Sequence, residues 1–105
     1  MSGYKVYDAL PADVGREGRK VNSSIVVAER LVAKCVLREK DVVMVLVERP
    51  NEPKILVCGI YLHNENTSEV NVGLISKVSE QVHKFREKER DGLVLVAGDL
   101  NMSFD

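Results

Sequence analysis

Two valine-rich runs constrain this chain more than any other feature. Asp41 to Arg49 and Lys54 to Leu62 are dominated by valine, leucine and isoleucine, and only Pro50-Asn51-Glu52-Pro53 separates them. Short runs rich in β-branched residues read as strands. The four residues between have turn composition, and two prolines cannot continue a ladder. The expectation is an antiparallel hairpin over 41–62. On its second strand Ile55, Val57, Gly59 and Tyr61 fall on one face, and Leu56, Cys58, Ile60 and Leu62 on the other. Both sets are largely apolar, which predicts an interior strand covered on both faces, as in a layered domain.

After the polar stretch His63 to Ser68, with Thr67 or Ser68 as a cap, the spacing predicts a helix over 68–90. Leu74, Ile75, Val78, Val82 and Phe85 recur three and four residues apart and make one apolar stripe. Lys84, Arg86, Lys88 and Arg90 suit the negative end of the helix. Asp91-Gly92 ends it, with Gly92 as a left-handed cap. Leu93 to Ala97 then gives five apolar residues in succession, the pattern of a strand buried on both faces. Gly98 ends that strand, and Asp99 and Asn101 stand at its carboxyl end. A strand–helix–strand unit of this kind makes the two strands parallel and brings their carboxyl ends to one edge.

The first forty residues are less regular. Tyr4 to Leu10 alternates as a short strand stopped by Pro11, and Ser24 to Glu29 and Leu31 to Leu37 are further strand candidates. Residues 11–22 hold Gly15, Gly18, Arg16, Arg19 and Lys20 with few apolar side chains, and read as a basic loop. At 105 residues the chain is a single domain or a piece of one. Its net charge of −1 gives no global field that would announce a nucleic acid or a membrane. No apolar run approaches a membrane span, and the opening residues are not a secretory signal. Cys35 and Cys58 lie in apolar runs without metal-ligand spacing, so they read as buried free thiols of a reducing, intracellular compartment, nucleus or cytoplasm.

Ligands collect at the carboxyl ends of strands in α/β folds. Asp99 can hold and orient a water there, and Asn101 can donate to an oxygen as charge develops on it. Gly, Asp and Asn equally compose a simple turn. Tyr61 and Asn64 end the neighbouring strand, so Tyr61, Asn64, Asp99 and Asn101 converge on one edge. A phenol and two amides beside a carboxylate suit the binding and polarisation of a phosphate. Arg16, Arg19 and Lys20 can touch a phosphate backbone or remain a solvated loop. His83, beside the apolar stripe, reads as a helix-surface residue.

Gly98-Asp99-Leu100-Asn101 after an apolar strand, with Tyr61-Leu62-His63-Asn64 ending an earlier one, resembles the endonuclease/exonuclease/phosphatase family. That family is similar to deoxyribonuclease I and the abasic-site endonucleases and includes the endonucleases of non-LTR retrotransposons. Its Gly-Asp-x-Asn and upstream Tyr-x-Pro-Asn motifs stand in this order with a helix between them, and Gly15 to Glu29 resembles its glycine-rich loop and Val-Ala-Ile strand. The resemblance spans about Gly15 to Asn101. It implies an α/β (α+β) fold, a partial β-sandwich of the deoxyribonuclease I-like type with a long helix packed on the sheet. It also implies Mg²⁺ or Mn²⁺ and phosphodiester hydrolysis, with DNA as the expected substrate. Asp99 would position the attacking water, Asn101 and Tyr61 would stabilise the phosphorus centre, and Asn64 would support the substrate.

The departures from the family are specific. His63 replaces the proline between Tyr and Asn. The family's early Asn and metal-binding Glu have no counterpart, because Asp8, Glu17 and Glu29 stand in no such motif. The Ser-Asp-His motif that carries its catalytic histidine is not matched. What the resemblance implies is therefore an incomplete domain, inactive or nearly so alone, with apolar sheet surface that favours self-association or pairing with another chain. Two other functions compete with it. One is a non-catalytic interaction or structural module derived from that fold, and the other is an unrelated α/β domain with a chance Gly-Asp-x-Asn turn.

Overall fold

In the computed structural model of the chain, residues 3–10, 12–13, 19–20, 22–62 and 68–99 are described. Among these described residues eight strands and one helix follow in the order β1 (Tyr4–Asp8), β2 (Ala12–Asp13), β3 (Arg19–Lys20), β4 (Ser24–Ala28), β5 (Val32–Glu39), β6 (Val42–Glu48), β7 (Ile55–Tyr61), α1 (Ser68–Lys88) and β8 (Leu93–Asp99). The main sheet has the order β5-β6-β7-β8, antiparallel except for the parallel pair β7 and β8. β1 and β4 form a second, antiparallel sheet.

The hairpin β6–β7 turns where the prolines require it. Asn51 has φ 57° and follows Pro50, and the Glu52 amide donates to the Arg49 carbonyl at 3.3 Å. Proline at the second turn position and a left-handed asparagine at the third are the signature of a type II turn. Arg49 Nη2 closes the loop on the Pro53 carbonyl at 2.9 Å.

The centre of the main sheet, β6 and β7, is covered on both faces. On one lie α1 and a core of Val42, Met44, Leu56, Cys58, Ile60, Leu62, Val78 and Phe85. On the other the β1–β4 sheet packs over β6 and β7, around Ala9, Ile25, Val27, Val43, Val45 and Val47. This mixed α+β architecture accounts for the apolar character of both faces of β7. Lys54, at the start of β7, ties the layers at one end by bonding Glu48 at 3.1 Å and Glu89 at 3.0 Å. Among the described residues no helix is long and apolar enough to cross a membrane.

Several local expectations need correction. β8 is not buried on both faces: Leu93, Leu95 and Val96 are 52, 56 and 50% exposed. Among the described residues β8 is the edge of its sheet, and the β1–β4 layer stops short of it. Gly98 does not end the strand, which runs on to Asp99. It is required inside the strand, with φ 144° and an approach to Ile60 too close for a side chain.

Gly92 is not a left-handed cap, because the described glycines with positive φ are Gly3 and Gly98. Its role is steric: a β-carbon there would lie 2.4 Å from the Phe85 ring. Ile75 is 45% exposed and leaves the stripe to Leu74, Val78, Val82 and Phe85. Ser68 is the first residue of α1, and Thr67 lies outside the described residues. The loop 11–22 contains a two-residue ladder, β2 with β3. Cys58 is buried as expected, but Cys35 is only half-buried.

Candidate functional site

Tyr61 and Asp99 are register partners at the carboxyl ends of the parallel strands β7 and β8. The crossover through α1 produces this pairing. Ile55 and Leu93 start in register, and six residues later both strands reach the same edge. Gly98 permits the last step, since only a residue without a β-carbon lets β8 pass Ile60 at this distance.

The Tyr61 strand end is anchored from below. Its amide donates to the Asp41 carbonyl at 2.8 Å. Asp41 sits in the tight β5–β6 connection with φ 68° and is 4% exposed, the one buried charged residue among those described. A buried carboxylate needs donors. One is Asn22, whose Nδ2 reaches Asp41 Oδ1 at 2.8 Å. The stretch before β4 is held in turn by the Ala9 amide on the Ser23 carbonyl at 2.9 Å. Asn22, Asp41 and Tyr61 are thereby joined into one hydrogen-bonded unit.

Beside this unit opens a cleft of ≈ 370 Å³, lined by residues that include Asn22, Ser23, Gly59, Tyr61, Ala97 and Gly98. The Ser24 hydroxyl bonds the Asp8 carboxylate. No charged side chain lines the cleft among the described residues.

The expected site residues divide accordingly. Tyr61 and the backbone of Asp99 are brought together. Asn64, Asn101 and Arg16 lie outside the described residues, as does His63. Arg19 and Lys20 form β3, opposite Asp13 and Ala12. His83 is on the helix surface, 77% exposed, and pairs with Glu87 at 3.0 Å. Among the described residues no three His, Cys, Asp or Glu side chains gather as a metal-holding group.

Asn22, Ser23 and Asp41 were not anticipated. Asp41 carried one usable signal, an acidic residue directly before a buried strand, which asks for a turn and a partner. Asn22 carried none, because its partner is 19 residues away.

A second cleft, of ≈ 320 Å³, is rimmed by Lys34, Lys54, Lys84 and Lys88 over Val36, Leu46, Leu56 and Phe85. Lys54 precedes β7 whereas Tyr61 ends it. At about 3.3 Å per residue the two ends are roughly 20 Å apart, so these lysines are not part of the Tyr61–Asp99 edge.

Compared with protein-family models, with curated proteins and with solved structures, the chain matches none.

Proposed function

We propose that the chain forms the water-positioning part of a divalent-metal-dependent phosphodiesterase. The substrate is DNA and the activity an endonuclease of the retroelement or abasic-site type, with little hydrolysis by this chain alone. The single observation that supports this most is the pairing of Tyr61 with Asp99 at one sheet edge. It supports the reading because each half of the resemblance contributes one of the paired residues, Tyr61 and Asp99.

In this reading Asp99 accepts a hydrogen bond from the attacking water and aims its lone pair at phosphorus. The Tyr61 hydroxyl and the Asn101 amide donate to the non-bridging oxygens as negative charge accumulates there. Asn64 holds the substrate. Arg16, Arg19 and Lys20 bind the DNA backbone as counter-charges, which makes affinity fall with salt.

A carboxylate is the hard oxygen donor that Mg²⁺ or Mn²⁺ takes, and Mg²⁺ commonly keeps one or two carboxylates with waters and substrate phosphate. Asp99 fits that chemistry, and the bound ion supplies charge neutralisation at the phosphate.

The test is a titration of the isotope-labelled chain with Mn²⁺ in the presence of a short DNA duplex. Selective broadening at Tyr61 and Asp99, lost in Asp99→Ala, is the expected result. Broadening spread over the acidic surface, unchanged by that substitution, would overturn the metal site. Robust Mg²⁺-dependent plasmid cleavage by the isolated chain, lost in Asp99→Ala, would overturn the claim of inactivity alone.

A second reading is favoured by the exposure of Leu93, Leu95 and Val96 on β8. Apolar residues along an unpaired strand edge invite strand addition. The chain would then be a non-catalytic module that self-associates or pairs with another chain through that edge. Concentration-dependent sedimentation together with no response to Mn²⁺ selects this reading over the first.

A further inference from the structure

The helix-side face of the main sheet is left open at one place. α1 packs chiefly on β7, one strand to the side of Leu46. Leu46 is half-buried, while every other apolar residue of β6 is buried. Register sets Lys34, Leu46 and Leu56 in one cross-strand row on that face. The bulge between Cys35 and Leu37 brings the neighbours Val36 and Leu37 to the same helix-side core, where a regular strand would part them.

This opening is the cleft of ≈ 320 Å³ near Lys54. Gln81, Lys84, Phe85 and Lys88 reach it from α1 at three- and four-residue spacing, so they share one side of the helix. Leu56 and Phe85 are buried, Val36 and Leu46 half-buried, and Lys34, Lys84 and Lys88 exposed. The lining thus grades from apolar inside to cationic at the opening.

The cations are not all available. Lys54 is held by Glu48 and Glu89, and Lys84 pairs with Glu80 at 3.2 Å. Lys34 and Lys88 make no ion pair among the described residues. Glu89 is the one acidic residue in the lining, and Lys54 engages it. In a chain whose net charge is −1, two unpaired ammonium groups at one cleft are a local excess and not a share of a basic surface.

We propose that this cleft binds a small anionic amphiphile, a carboxylate joined to an apolar tail. The tail covers Val36 and Leu46 and removes their exposed surface from water. Lys34, from β5, and Lys88, from the last turn of α1, supply the counter-charge and donate to the carboxylate. The volume lies at the lower end of small-molecule sites, which suits one short chain and not a folded partner. A bare phosphate or a nucleic-acid backbone would leave the apolar lining uncovered. The cleft and the Tyr61–Asp99 edge stand at opposite ends of β7, so this inference does not rest on the phosphodiesterase reading.

Methyl and amide resonances of the full 105-residue chain can be followed on addition of octanoate at millimolar concentration, with 1-octanol, octylammonium and acetate as comparisons. Octanoate is expected to move Val36, Leu46 and Leu56. 1-Octanol should move them with weaker affinity, and octylammonium and acetate should leave them still. Lys34→Gln combined with Lys88→Gln, both at exposed positions, should weaken octanoate about threefold to tenfold and leave 1-octanol unchanged, with the fold intact by circular dichroism. Added salt should weaken octanoate in the parent more than in the double variant.

Equal affinity for octanoate, 1-octanol and octylammonium would show an apolar cleft without charge selection and overturn the proposal. Acetate shifts that match those of octanoate, or octanoate shifts spread over the other lysines, would reduce it to counter-ion binding. Octanoate affinity unchanged in the double variant would overturn the roles of Lys34 and Lys88, and no shift at Val36 and Leu46 would overturn the site itself. None of these results bears on Tyr61 and Asp99, which the Mn²⁺ titration tests separately.

Discussion

Gly98 and Ile60 are register partners so closely packed that a β-carbon on Gly98 would stand 1.8 Å from the Ile60 carbonyl oxygen. No side-chain rotation relieves a clash with a backbone oxygen. The parallel pairing of β7 and β8 at its carboxyl end, and with it the meeting of Tyr61 and Asp99, depends on a hydrogen atom at this position.

Gly98→Ala should therefore cost about 2–4 kcal/mol, combining an unfavourable φ with overpacking. Urea unfolding measures this, and amide shifts at Tyr61 and Asp99 should move with it. A loss below about 0.5 kcal/mol would show that the strands can separate without penalty.

Gly73 is the counter-case. It lies inside α1, exposed, and a β-carbon there meets nothing within 4 Å. Gly73→Ala should raise stability by about 1 kcal/mol, because alanine loses less backbone freedom in a helix. A neutral or negative change in urea midpoint would contradict this.

Asp41 joins a left-handed backbone to a buried side chain. Asp41→Asn keeps an oxygen facing Asn22 and a residue tolerant of that φ. Asp41→Ala loses both and should be less stable than Asp41→Asn by about 2 kcal/mol. Asp41→Gly restores the backbone alone and should fall between them. Equal stability of the three variants would show that neither feature matters.

Burial pushes the Cys58 thiol up to about 11 from 9.0. The folded chain keeps a proton that the unfolded chain releases first. This contribution is whole below about pH 9 and is lost as the pH rises through about 11, amounting to about 3 kcal/mol at most. Cys58→Ala should flatten the alkaline decline in stability relative to the parent, at a lower starting value because of the cavity. At neutral pH a thiol reagent should modify half-buried Cys35 well before Cys58. Equal rates for the two cysteines would argue against the buried placement.

Leu95 is 56% exposed on β8, whereas Val45, in the centre of the sheet, is fully buried. Leu95→Lys should change monomer stability by no more than about 0.5 kcal/mol, while Val45→Ala should cost about 1–3 kcal/mol. If the β8 edge pairs chains, Leu95→Lys should also lower the sedimentation coefficient at high concentration. An unchanged concentration dependence would exclude this residue from the contact.

Much of the fold was legible because the signals were local. Pro50 and Asn51 specified their turn within four residues. The stripe Leu74, Val78, Val82 and Phe85 specified both the helix and the face it buries. The parallel pairing of β7 with β8 followed from a helix of sufficient length between two apolar strands. The nearness of Tyr61 to Asp99 was legible for the same reason, since connection length and strand direction together dictate which ends meet.

What the sequence could not determine was set by partners far along the chain. Leu93 to Ala97 is as apolar as a buried strand, yet Leu93 and Leu95 are exposed, because the β1–β4 layer covers β6 and β7 and not β8. An apolar run states that a strand can be buried. Only the extent of the opposing layer decides whether it is. Gly92 and Gly98 looked like a cap and a strand end, since glycine is permissive in turns. Their neighbours Phe85 and Ile60 instead require glycine for lack of space. Asn22 and Asp41 meet across 19 residues of chain with no periodic signal between them. Hydrophobic periodicity and turn chemistry are encoded over a few residues and determine the elements. Coverage, close approach and long-range hydrogen bonds depend on where those elements come to rest, and only the tertiary structure decides them.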